Sequence, residues 1–441
     1  MLINTTISAL VKGLPAITFE QQESLVEWLK ACNSARRFQE VFDAQLRMID
    51  SLVATERKSQ GLNQLKKGLR ALIPELKVQG DTQLIRKHQQ EISSIEESMA
   101  SLKHFRNCVL FLGDTLAARL VDPDAIRHFA LYPSPGFISG KEGLASEIKA
   151  AKRLIAQGCM VLFNDITHCL RCGDLTVNRA GRVSTLEIKS NPKEYHSHHT
   201  HEQIAIPRAV HHYIEKDVIK AKVKPSDKQT EKFLAERRGH PSAEPVGTFV
   251  RLQGDFAEQY HDGVAGRLVK SLRKNKVAVV QEGLKKYVAA RASNRAALSA
   301  AVSDLIRIGS WVGANIGSKI TKHFDVPPFS LWLAPRTTVE LLSGDLIVLT
   351  LFEMESVAEL FRQKGIEIVW GKEQHDLFPV HFTSDYLKSE AEFEWKNVNV
   401  GDWQRLRVMF TNMSVESFVG ICSFLLSPEA KAQMKHKTGR F

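Results

Sequence analysis

The apolar positions change period along the chain. Over the first 135 residues they recur at helical spacing: Phe38, Val41, Phe42, Ile49, Leu52 and Val53 share one face. Asp81-Thr82 offers a cap for a long helix running to about Ala118. Within that helix Ile85, Ile92 and Met99 fall at one heptad position, and His88, Ile95, Leu102 and Val109 at the other. Arg106 breaks this short seam and His88 weakens it. Such a seam suits helices packed within one domain, or an arm that dimerises or binds a partner.

Pro133, Pro135 and Gly136 punctuate the chain, and a different pattern follows. A helix is predicted over 141–157, closed by Gly158. Three short strands follow over 159–163, 174–177 and 183–189, with Ala180-Gly181 at the turn between the last two, and then a helix over 202–218. Residues 221–295 carry Pro225, Gly239, Pro241, Pro245 and Gly254 and read as a loop-rich connector followed by helices; 294–324 reads as helical. Beyond Pro327-Pro328 come strands at 329–333, 346–351 and 366–370, a helix at 357–364, candidate strands at 380–383 and 393–400, a helix at 414–426 and a last turn from Pro428.

The predicted fold class is therefore α/β multidomain. A helical domain spans 1–135, an α/β core 136–220, a basic linker with helices 221–325, and an α+β domain 326–441.

Charge and composition sharpen this picture. The formal net charge is +11, and the segment 205–300 holds 19 Lys and Arg against 10 Asp and Glu. A concentrated basic segment suits a polyanion, held through phosphate contacts; it also suits a plain solvated helix face. No run of eighteen apolar residues argues for a membrane span. The start of the chain lacks the basic, then apolar, character of a secretory signal. The six cysteines are scattered, which fits a reducing cytoplasm better than a disulfide framework.

The candidate chemistry lies in the middle. On a strand over 183–189, Thr185, Glu187 and Lys189 share one face, and Leu186 and Ile188 the other. A hairpin would bring Asp174 close to Glu187. Acid-x-Lys triplets alone mean little: those starting at Glu56, Glu75, Glu147 and Glu429 lie in predicted helices, and Glu394-Trp395-Lys396, with Asp385 upstream, is a rival in a strand-like run. What distinguishes Glu187 is the order around it: Glu147 on a helix, a closing Gly, a strand, Gly173-Asp174, and then Glu187-Ile188-Lys189.

In that order the segment 138–218 resembles the PD-(D/E)xK nuclease superfamily, and its "GD…ExK" variants, over about a fifth of the chain. The resemblance implies a restriction-endonuclease-like core that hydrolyses phosphodiester bonds with Mg²⁺ or Mn²⁺. It implies that Asp174 and Glu187 bind the metal, with the backbone carbonyl of Ile188 assisting and Glu147 as an auxiliary acid on the first helix. It implies that Lys189 positions the attacking water or steadies the phosphate. Gly173 replaces the Pro of the motif. Gln203 is a further candidate on the next helix; Tyr213 lies there too, without matching spacing.

The expected activity is a cytoplasmic DNA endonuclease, with an architecture like restriction or anti-phage defence effectors. It would contact a homo-oligomer or partner protein through its N-terminal helices. Two alternatives stay open: an inactive nuclease-fold module that binds nucleic acid or acts as a scaffold, and an RNA-cleaving enzyme with the same core.

Other features are read more plainly. Cys169-x-x-Cys172, with His168 beside it and His196, His198, His199 and His201 nearby, offers a structural Zn²⁺ site, but a reduced thiol pair is the simpler reading. The same histidines could line a substrate groove, or one could act as a general base. Gly309 to Lys319 has the wrong order for a phosphate-binding loop; Gly309, Gly313 and Gly317 suit a close helix contact instead.

Overall fold

The computed structural model describes residues 13–33, 38–121, 126, 137–171, 173–188, 218–222, 246–250, 263–306, 311–316, 329–331, 333–370, 380–384, 413–425, 427–430 and 432–433. The protein mixes helices with small antiparallel sheets. Its N-terminal part is helical: α1 (Phe19–Asn33), α2 (Phe38–Gln79) and α3 (Thr82–Leu120). Asp81 caps α3, accepting the Leu84 N–H at 2.9 Å. α2 and α3 run side by side as a helical hairpin, so the heptad seam faces a helix of the same chain. Ile92, Ile95 and Val109 are buried in it. Arg106, which interrupts the pattern, meets the buried carboxylate of Glu56 on α2 at 3.0 Å. The outer half of the hairpin is largely exposed, and Arg70 and Lys66 of α2 bridge to Glu96 of α3 there.

After α4 (Leu144–Ala156) the chain enters a three-stranded meander: β1 (Met160–Phe163), β2 (Leu175–Arg179) and β3 (Arg182–Leu186). The β2–β3 turn is Ala180-Gly181, both with positive φ (50° and 83°), as a two-residue hairpin demands. β3 ends at Leu186, so Glu187 lies just beyond the strand predicted to contain it. β1 is an edge strand, and helix α2 satisfies its outer side. The buried Gln45 amide donates to the Val161 carbonyl at 2.8 Å and accepts the Phe163 N–H at 3.0 Å. A side-chain amide with one donor and one acceptor matches the alternating needs of a strand edge. Phe42 stacks on Phe163 beside it, and one apolar cluster runs from α1, α2 and α3 into this sheet.

The later region departs from the sequence-based expectation. A short pair, β4 (Val218–Lys222) and β5 (Val246–Val250), and then α5 (Val264–Leu272) precede a four-stranded antiparallel sheet. That sheet has the order β6–β7–β9–β8, from β6 (Val277–Glu282), β7 (Lys285–Arg291), β8 (Trp311–Asn315) and β9 (Leu346–Glu353). Segments expected as basic linker and helices thus supply three of this sheet's strands, and Gly313 sits in β8 rather than in a helix contact. The Lys and Arg of 267–295 masked the period-2 alternation of β7. There Tyr287 and Ala289 face the large cluster, while Val288 and Ala290 face a second one under α6 (Arg295–Ile306). β9 is buried along nearly its whole length, which gives it a continuous apolar run.

Residues 329–331 form a 3₁₀ turn, not a strand; Phe329 packs on Phe111 of α3. Then α7 (Pro335–Ser343) leans on α1, with Arg336 bonded to Glu23 at 2.5 Å. Helix α8 (Met354–Arg362), the pair β10 (Ile366–Trp370) and β11 (Val380–Ser384), and α9 (Val415–Leu425) complete the described elements. No helix among the described residues is long and apolar enough to cross a membrane.

Candidate active site

The β2–β3 register sets Leu175 opposite Leu186, so the next pair outward is Asp174 and Glu187. The backbone continues the ladder one step: the Asp174 N–H donates to the Leu186 carbonyl at 2.9 Å. The hairpin therefore brings these two acids to one end of the sheet. Gly173 has φ +71°, and a Cβ there would lie 2.5 Å from the Thr185 methyl. Proline, locked near −65°, cannot adopt this conformation, whereas glycine can.

Asp174 is nearly buried and doubly anchored. Its Oδ2 accepts the Ile188 N–H at 2.7 Å, and its Oδ1 accepts from Lys141 Nζ at 2.9 Å. The Ile188 N–H thus fixes the Asp174 carboxylate. Glu147 stands in the first turn of α4, 1% exposed, with Oε1 2.8 Å from the same Lys141 Nζ. Its Oε2 is buried with no hydrogen-bond partner among the described residues. A third carboxylate joins them: Asp165, in the 3₁₀ turn after β1, lies 2.5 Å from Lys141 Nζ.

Sequence reasoning missed both Lys141 and Asp165. Lys141 was placed inside the predicted helix, but α4 begins at Leu144 and leaves Lys141 in the preceding turn. Asp165 carried a signal that went unused, as an acid two residues past a fully apolar strand that ends at the same sheet end.

The electrostatics follow from burial and these contacts. Burial pushes the Glu147 carboxyl up to about 7, with the Lys141 hydrogen bond opposing it and Asp174 adding to the rise. Burial likewise raises Asp165 against the pull of Lys141. Burial works against the Lys141 ammonium, yet Asp165 and Asp174 outweigh it and hold its pKa above the ordinary lysine range.

No three His, Cys, Asp or Glu side chains among the described residues form a ready-made metal cage. At the point where Glu147, Asp165 and Asp174 converge, the ammonium of Lys141 takes the central place. The donor set still suits a hard divalent cation, which prefers carboxylate oxygens. The buried, unpartnered Oε2 of Glu147 is a further oxygen stripped of water.

Lys189, Gln203, Tyr213, Cys172, the four histidines of 196–201 and the rival Glu394 triplet lie outside the described residues. His168 is described: its Nδ1 meets Asp114 Oδ2 at 2.7 Å, and Asp114 Oδ1 also accepts the backbone N–H groups of His168 and Cys169. The Cys169 thiol is pushed well above its usual range, by burial first and Asp114 next, which keeps it protonated.

No family model matches the chain, and neither the curated proteins nor the solved structures searched contain a similar one.

Proposed function

We propose that the chain is a Mg²⁺- or Mn²⁺-dependent nuclease that hydrolyses DNA phosphodiester bonds at the Asp174 end of the small sheet. The observation that carries this reading is the convergence of Glu147, Asp165 and Asp174 on one point, with Glu187 next to Asp174 across the ladder. A bound divalent cation would neutralise charge building on the phosphate and acidify a water. The chain's own residues provide the rest. Asp174 is held in one orientation by Ile188, and Glu147 is presented from a helix N-terminus. Glu187 and Lys189 follow on the adjoining segment, where Lys189 would meet the phosphate or the water.

An exposed basic group supports a nucleic-acid substrate: Lys270, Arg273, Lys274 and Lys276 crowd the C-terminal end of α5. Three other described cations of the basic segment are not free in this way: Arg267 pairs with Glu282, Arg291 with Glu340, and Lys285 is buried.

Lys141 favours a second reading. An ammonium already neutralising the carboxylates suits a module with this arrangement that binds nucleic acid without cutting it. Labelled DNA and RNA incubated with Mg²⁺ or Mn²⁺, with EDTA controls, separate the two. The nuclease reading expects metal-dependent cleavage of DNA that is lost in each of Asp174→Ala, Glu187→Ala and Lys189→Ala while the variants stay folded. Full activity in all three variants sinks it, and nucleic-acid binding without metal-dependent cleavage favours the second reading. Cleavage of RNA alone moves the substrate, not the site.

A further inference from the structure

Lys141 spends all three of its ammonium hydrogens inside one cluster, one each on Glu147 Oε1, Asp165 Oδ2 and Asp174 Oδ1, at 2.5–2.9 Å. One positive charge therefore answers three carboxylates, and none of its hydrogens is left for the buried Oε2 of Glu147. A divalent cation at that point would meet the same oxygens, and the Oε2 of Glu147 is one more that the ammonium does not reach.

The backbone of Lys141 is held on both sides, its N–H donating to the Ile138 carbonyl at 3.0 Å and its carbonyl accepting the Leu144 N–H at 3.4 Å, so any movement lies in the side chain. Ile138 is buried, and the Ser139 N–H is tied to the buried Glu56 Oε2 at 2.8 Å, so the turn is fixed at its start. The Glu147 N–H bonds to the Gly143 carbonyl, so it is fixed at its end. Between these anchors stands Gly140, with φ +96° and open space where a Cβ would be. The Lys141 side chain is 27% exposed, so it borders solvent rather than the apolar core.

We infer that Lys141 is a built-in counter-cation that a divalent metal must displace from the carboxylate cluster before it binds. This rests on the metal-dependent reading above and adds a control to it. With Lys141 seated, the ammonium fills the place the metal would take; only the fraction of molecules with Lys141 swung out can take the metal. The apparent metal affinity is lowered by that fraction.

Mn²⁺ titrated calorimetrically into the full chain tests this on wild type and Lys141→Met. The variant is expected to bind Mn²⁺ roughly ten- to a hundredfold more tightly, the usual range of coupling between two mutually exclusive states. Lys141→Met/Asp174→Asn should lose that gain. Equal affinity in wild type and a folded Lys141→Met overturns the inference and leaves the metal site standing. No Mn²⁺ binding by either protein overturns both the inference and the nuclease reading. A second measurement needs no substitution. Acylation of the Lys141 amine in wild type, read by peptide mass spectrometry, should accelerate at saturating Mn²⁺, and an unchanged rate with Mn²⁺ bound overturns the displacement.

Discussion

Lys141 and Lys285 both bring an ammonium into the interior, one beside the three-stranded sheet and the other at the start of β7 in the four-stranded sheet. Lys141 is partly exposed and meets three carboxylates, so its charge is held more firmly than in water. Lys285 is fully buried; its contacts include the Met413 carbonyl at 3.3 Å and the face of Tyr287 at 4.9 Å, and burial drives its pKa well below the ordinary range. The same side chain is fixed as a cation in one region and pushed toward neutrality in the other. Burial alone does not mark a functional lysine. What marks Lys141 is the convergence of acids that have no apolar reason to share one point.

The sharpest way to break this contrast is at the acids. We expect Asp174→Asn, which keeps the shape and removes the charge, to lower DNA cleavage on the order of a thousandfold. In the same assay Lys285→Met should leave cleavage unchanged. Equal losses in the two variants would erase the distinction between the regions.

The next largest effect concerns how the small sheet is held. Gln45→Ala strips the partner from the Val161 carbonyl and the Phe163 N–H, two buried backbone groups on the β1 edge. It should cost about 2–4 kcal/mol of unfolding free energy, read from the denaturant midpoint. A cost within about 0.5 kcal/mol would mean that the edge finds water instead.

A pH series sharpens the electrostatic half. Folded Glu147 keeps its proton to about pH 7, whereas the ordinary carboxyl releases it near 4.5. Between these values the folded state holds more protons than the unfolded one, so this group lowers stability as pH rises through that window. Glu147→Gln removes the slope. Relative to wild type, the variant should gain about 2–3 kcal/mol between roughly pH 5 and pH 8 in thermal or denaturant unfolding. A constant difference across that range would place the titration elsewhere.

The smallest expected effect is at Lys285, and its sign is opposite. Its folded pKa is depressed, so between that value and the unfolded one the unfolded chain holds more protons and stability rises with pH. Lys285→Met should flatten that rise and stabilise the protein by about 1 kcal/mol near neutral pH, since an apolar side chain of similar volume replaces a buried amine. Strong destabilisation would show that the amine is needed by its surroundings.

Much of the local structure was legible. Asp81 capped its helix as expected, the 81–120 seam found a helical partner, and Ala180-Gly181 turned the hairpin that pairs the Asp174 and Glu187 ends. These are short-range matters: a cap reaches three residues, and a two-residue turn fixes its own register. The four-stranded sheet was not legible in the same way. β7 carries Lys285, Lys286 and Arg291 and sits among basic residues, so composition pointed to a solvated helix, while burial of Tyr287 and Ala289 against distant helices decided for a strand. Arg106 looked like a flaw in the seam; it pairs with Glu56, and neither alone announces the other across fifty positions.

For the candidate site the division is similar. By itself the sequence determined that Asp174 and Glu187 meet through the hairpin register and that Glu147 lies on the helix before the sheet. Only the tertiary structure decided that Asp165 joins them and that Lys141 stands in their midst. The packing of α4 against β1 brings a preceding turn, a helix and two strand ends to one point. Sequence spacing encodes none of those approaches, because each depends on which apolar faces bury one another.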